Sequence, residues 1–185
     1  MAGLIVDTSL LYSADPDGAV EGSTSALLLA EIIIKRRYTV ILPDALEGEW
    51  HRRMSSWAME WYADIESRRR IVRRCVPVLD GRVEHRLNRL VNYEFDGKAM
   101  QHEFKLIQAA ASTDSPILSF DEKARCFFSR AARCEASIDH VVWLNPLEFD
   151  FIQWLAGGAQ PRNADRLPAH FCRRNHNPNC PMGIY

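Results

Sequence analysis

Residues 115–125 read SPILSFDEKAR, an apolar run that gives way to an aspartate and then to a helical pattern. Pro116 to Ser119 has the length and content of a short buried strand, and Asp121 stands where the following helix, residues 122 to 134, needs its N-cap. Taken alone, the segment accounts for Asp121 as a cap. The question it raises is whether other acids in the chain are placed to meet it.

Working outward, strand and helix patterns alternate. Leu4-Ile5-Val6 is a β-type run ended by Asp7-Thr8-Ser9, and residues 23 to 37 are apolar at helical spacing with basic residues at the end. Residues 38 to 42 form a second strand stopped by Pro43-Asp44. A long helix is expected over 45 to 62, carrying Trp50, Met54, Trp57 and Trp61 on one stripe that reads as core. The arginine-rich stretch from Arg68 to Arg74 is expected to be helical, and so is 82 to 92. Residues 98 to 112 repeat apolar positions at Phe104, Ile107, Ala110 and Ala111 and feed the strand at 116 to 119. A last strand is expected over 140 to 143 and a last helix over 146 to 155. Strands separated by helices imply a three-layer α/β/α architecture around a central, mostly parallel sheet.

The chain of 185 residues, 47% hydrophobic and 25% charged, fits one domain with a proper core. That domain is expected over 1–158. Beyond Gly157-Gly158 the composition turns to Pro, Asn, Arg and His, so 159–185 is expected to be a loosely ordered tail. No apolar run reaches membrane-spanning length, and the first residues lead straight into a strand, which predicts a cytoplasmic protein. Most of the five scattered cysteines, which form no CxxC pair, are expected to be reduced thiols. The formal net charge of -1 excludes a uniformly basic nucleic-acid coat but allows a basic patch beside an acidic site.

In an open parallel sheet, residues just past the carboxyl ends of the strands share one crevice. Asp7 and Asp121 both hold such positions. Glu49 lies near the first turns of the helix after Pro43-Asp44, and Glu103 near the start of the helix that feeds the strand at 116. Four carboxylates are thereby expected to converge. The segments LIVDTSLLYS, LPDALEGEW, HEFKLIQAAASTDSPILSFDEKAR and VVWLNP, in that order, resemble the PIN-domain nuclease family over residues 4 to 157. In that family the first strand ends in an aspartate followed by a small hydroxyl or amide residue, matched by Asp7, Thr8 and Ser9. Glu49-Trp50 and Ser119-Phe120-Asp121 match two further acids. The third departs from the pattern: Glu103, eighteen residues ahead of Asp121, stands where the family has an aspartate. Asp114 competes for that role but reads as the turn before the strand, at the wrong end for the crevice.

The resemblance implies a PIN-like fold and a metal-dependent ribonuclease holding Mg2+ or Mn2+ through Asp7, Glu49, Glu103 and Asp121. Ser9 and Ser119 would orient ligand or water. Crowded carboxylates repel one another and call for a hard cation, which agrees with that chemistry. The implied partners are RNA, an antitoxin protein if the chain is the toxin of a toxin-antitoxin pair, and a second copy in a homodimer. A catalytically inactive PIN-like scaffold binding RNA or protein is the alternative. RNA contact falls to Arg52, Arg53, Arg68, Arg69, Arg70, Arg73 and Arg74, the densest basic stretch, which reads equally as a solvated face. His51, His85 and His102 read as structural or surface groups, with His102 near enough to approach the site. His170, Cys172, His176 and Cys180 are a candidate zinc set whose spacing fits no common module.

Overall fold

The computed structural model describes residues 3–14, 16, 23–75, 81–94, 100–148 and 150–170. Among them, five parallel strands form one sheet flanked by helices, in the order β3-β2-β1-β4-β5. The strands are β1 (Gly3–Val6), β2 (Thr39–Pro43), β3 (Ile71–Arg74), β4 (Ile117–Leu118) and β5 (Trp143–Leu144). The helices are α1 (Thr8–Ser13), α2 (Ser23–Lys35), α3 (Asp44–Arg53), α4 (Ser56–Ser67), α5 (Gly81–Glu94), α6 (Gln101–Thr113), α7 (Glu122–Ala132) and α8 (Phe151–Ala156). None of them is long and apolar enough to cross a membrane.

The chain moves outward from β1 through β2 to β3, then returns to the other side of β1 with β4. Leu4 pairs with Val40 and Val6 with Leu118, so β1 is the strand where the order reverses. Such a reversal opens a crevice at the carboxyl ends of the two strands, between Asp7 and Asp121. Leu4, Ile5, Val40, Ile117 and Leu118 are wholly buried, as a parallel sheet covered on its faces requires. Gly3 opens β1 because a Cβ there would stand 2.8 Å from Ile41 and 2.9 Å from the Ser115 hydroxyl.

Three expectations are corrected. The helix over 45 to 62 is two helices, broken at Met54-Ser55. Ser55 caps α4 by accepting from Ala58 N at 3.1 Å, and its hydroxyl also donates to the Ala14 carbonyl. The apolar spacing survives the break, which is why it was invisible: Trp50, Met54 and Trp61 are all buried. Second, the arginine stretch is not helical. α4 stops at Ser67, Arg69 turns through the left-handed region at φ 55, and Ile71–Arg74 joins the sheet beside β2. This strand lies at the sheet edge, where charged residues are tolerated, and so lacks the apolar run expected of a strand. Third, residues 159–170 are docked. Ala159 and Leu167 are buried, Leu167 N donates to Val141 O at 2.9 Å, and Arg166 bridges to Val142. The rest of the expected tail, 171–185, lies outside the described residues.

The expectation of reduced cysteines is also corrected in part. Cys126 and Cys134 are disulfide-bonded, while Cys75 is an exposed free thiol. Cys172 and Cys180 lie outside the described residues.

Candidate functional site

Asp7 stands where β1 ends and α1 begins, and it caps that helix through Thr8 N (2.7 Å) and Ser9 N (3.3 Å). Its Oδ2 also accepts from the hydroxyls of Ser9 (2.5 Å) and Ser119 (2.8 Å). Ser119, wholly buried at the end of β4, accepts in turn from Asp121 N at 2.9 Å, and Ser9 Oγ accepts from Phe120 N at 3.0 Å. These hydroxyls tie the ends of the two strands at the reversal into one unit. Ser9 and Ser119, expected to orient ligand or water, thus both lie against the Asp7 carboxylate.

The residue missing from the sequence-based set of acids is His102. It lies in the first turn of α6, with Nε2 2.7 Å from Asp7 Oδ1 and Nδ1 2.6 Å from Glu49 Oε2. Each ring nitrogen faces a carboxylate, so both donate and the ring is an imidazolium. Burial works against its charge, but the bond to Asp7 and the charges of Asp7 and Glu49 outweigh that and lift its pKa to about 8. Burial likewise opposes ionisation of Asp7, and hydrogen bonds from His102, Ser9 and Ser119 overcome it, leaving this carboxyl below its usual range. Glu49, on α3, is held on its other oxygen by Arg53 at 3.1 Å. His102, expected to be a structural or surface group near enough to approach the site, thus lies against two of the expected acids. Its one sequence signal was adjacency: a helix start that carries Glu103 to the crevice carries its neighbour there too.

Glu103 shows the opposite condition. Its Oε2 is buried and has no hydrogen-bond partner among the described residues. Burial lifts its pKa to about 7, helped by the charges of Asp121 and Asp7 and opposed by its own backbone N–H and His102. Asp121 caps α7, with Ala124 N donating to Oδ1 at 2.8 Å. Its Oδ2 makes no hydrogen bond among the described residues. Asp114 is the left-handed C-cap of α6, at the end of that helix away from His102 and Glu103.

These donors suit a hard divalent cation: carboxylate oxygens, one of them buried and unpartnered, at a strand reversal. They are not drawn tightly together, however. Among the described residues, the group with three ligand-type atoms within 4.8 Å of one another is Glu122, Cys126 and His170. There His170 Nε2 lies 2.8 Å from Glu122 Oε1, but the disulfide at Cys126 leaves no thiolate to bind a metal. Of the expected zinc set, only His170 is among the described residues.

The basic stretch divides into engaged and open arginines. Arg68 pairs with Asp64, Arg70 donates to the Ile34 carbonyl, and Arg73 binds Glu47, Glu66 and Tyr62. Arg53 is spent on Glu49. Arg52, Arg69 and Arg74 are exposed, with no side-chain bond among the described residues. Arg74 ends β3, two strands from β1, which places it about 10 Å along the same carboxyl edge as Asp7. No family model matches the chain, and no curated protein does.

Proposed function

We propose that this chain is a metal-dependent endoribonuclease of the PIN type. The observation that carries the reading is the buried, unpartnered Glu103 oxygen, set in the field of Asp7 and Asp121 at the reversal of the sheet. Asp7 and Asp121 would hold the ion with Glu103, and Glu49 would complete the acidic wall. The bound ion would polarise the scissile phosphate and lower the pKa of an attacking water. Ser9 and Ser119 keep Asp7 oriented, and Arg52, Arg69 and Arg74 offer charge to the RNA backbone. The PIN resemblance implies products with a 5'-phosphate and a 3'-hydroxyl.

The test is cleavage of labelled RNA with magnesium, manganese or a chelator, beside melting of the protein under the same conditions. Cleavage only with metal, together with a metal-induced rise in melting temperature, is expected. Cleavage unaffected by chelator would sink the reading. Changing Arg52, Arg69 and Arg74 to alanine should weaken RNA binding and flatten its salt dependence. An unchanged salt slope would make them a solvated face.

A second reading, a PIN-like scaffold without catalysis, is favoured by the His102 imidazolium that already balances Asp7 and Glu49. RNA binding without metal and without cleavage would establish it. A toxin role adds an antitoxin partner, and growth arrest on expression of this chain alone, relieved by that partner, is its test. Either role would call for the cytoplasm, and the disulfides at Cys126 and Cys134 weigh against that reducing compartment.

A further inference from the structure

His102 stands between two carboxylates in a defined orientation, Nδ1 on Glu49 Oε2 and Nε2 on Asp7 Oδ1. A histidine that ligates a metal through one nitrogen commonly donates its other N–H to a carboxylate, which fixes the ring and raises its basicity. Here the carboxylate half of that arrangement is in place, while Nε2 is engaged with Asp7 Oδ1. Glu49 Oε2 takes Nδ1–H, and Glu49 is itself anchored on its other oxygen by Arg53. Nε2 points the other way, to the carboxylate that Ser9 and Ser119 hold at the strand reversal.

We propose that His102 is a metal ligand of this crevice, binding through Nε2 beside Asp7 Oδ1, and that Glu49 is a positioning residue which holds the ring rather than the ion. The cofactor is then a transition-metal ion in preference to magnesium. The inference rests on the reading of the crevice as a divalent-metal site and names which residues hold the ion.

Three observations support it. Nε2 and Oδ1 are 2.7 Å apart, close to the separation of about 3 Å between adjacent ligands on an ion with bonds of about 2.1 Å. An ion bound through Nε2 would displace the proton shared by the two atoms to solvent, and the ring would have to turn to admit it. Glu49 has both oxygens engaged by cationic side chains, so a direct role in holding the ion would require breaking one of those pairs. Finally, imidazole nitrogen suits zinc, copper, iron or nickel, whereas magnesium prefers oxygen throughout its shell.

The experiment is pulsed electron paramagnetic resonance of the full chain loaded with Mn2+, with binding titrations of Mn2+ and Mg2+. The wild-type protein should show the coupling of a directly bonded 14N, and Mn2+ should bind at least tenfold tighter than Mg2+. His102→Gln should lose the nitrogen coupling and the preference. Glu49→Gln should keep the coupling while binding Mn2+ about 10- to 100-fold more weakly, and it serves even if His102→Gln does not fold. Nitrogen coupling that persists in His102→Gln would overturn the assignment. An all-oxygen Mn2+ shell in the wild type, with RNA still cut, would overturn this inference and leave the nuclease reading standing. Folded wild type that binds no Mn2+ at millimolar concentration would end both.

Discussion

The two sides of the crevice are in opposite states. On the Asp7 side every charge is answered: six donors reach its carboxylate, His102 lies between it and Glu49, and Arg53 closes the outer oxygen. On the Glu103 side the buried Oε2 has no donor among the described residues and Asp121 uses one oxygen as a cap. One side is therefore an organiser that holds the ends of β1, α3, α6 and β4 together, and the other holds the unmet electrostatic demand. A buried pair that is satisfied resists change, while an unpaired buried carboxyl avoids ionisation instead. Removing the Asp7 carboxylate should therefore cost stability, and removing the Glu103 carboxyl should add to it.

The sharpest way to break the comparison is Asp7→Ala. It strands the imidazolium and three hydroxyls, and should cost about 3–5 kcal/mol, as removing one partner of a buried pair does. Urea unfolding measures it, and a loss below about 1 kcal/mol would show that the organiser is not one. Next comes Glu103→Gln. It removes a carboxyl that burial disfavours once ionised, so at pH 8 and without metal the variant should be more stable than wild type by roughly 1–3 kcal/mol. A destabilised variant would mean that the unpartnered oxygen has a partner in solution.

The pH dependence sharpens the same contrast. The folded pKa values of both His102 and Glu103 lie above their ordinary ones, so both contributions are fully present at low pH and are lost as pH rises. The Glu103 contribution fades between 4.5 and about 7. That of His102 fades between 6.5 and about 8, amounting to roughly 2 kcal/mol. Stability should fall in two steps between pH 4.5 and about 8. Glu103→Gln should erase the lower step and His102→Gln the upper, and a single step surviving in both variants would refute the assignments. Asp7, with its depressed pKa, acts oppositely and loses its contribution on acidification below about pH 4.

The smallest expected effect belongs to Asp121→Asn. Asparagine caps about as well as aspartate, so the metal-free melting temperature should hardly move, within about 0.5 kcal/mol. The stabilisation that Mn2+ confers on the wild type should nevertheless disappear. Equal Mn2+ shifts in the two proteins would reduce Asp121 to a cap.

The sequence carried the alternation of strands and helices and the carboxyl ends on which acids sit, because burial on both faces writes parallel strands as short apolar runs. Leu4 to Val6 and Ile117 to Leu118 are such runs. β3 was not legible, since an edge strand half open to solvent admits Arg73 and Arg74. The break at Ser55 was hidden because a serine cap leaves the apolar period undisturbed. His102 was legible only as a neighbour of the site, because a lone histidine carries no pattern: its contacts are with Asp7 and Glu49, which are 95 and 53 residues away. The docking of 159–170 rests on Ala159 and Leu167, too few to mark a polar segment as packed.

The strand order also has a consequence for synthesis. The half of β1 nearest the crevice, Ile5 and Val6, pairs with β4, whose residues are more than a hundred positions downstream. At a translation speed of about 5–20 residues per second, that edge waits on the order of ten seconds for its partner. Over that interval Asp7 lacks Ser119, and His102 arrives only near the end. A nascent chain can build the β1-β2-β3 half early, but the crevice closes as one of the last events of folding. The acidic cluster therefore cannot assemble before the chain has been made as far as Asp121.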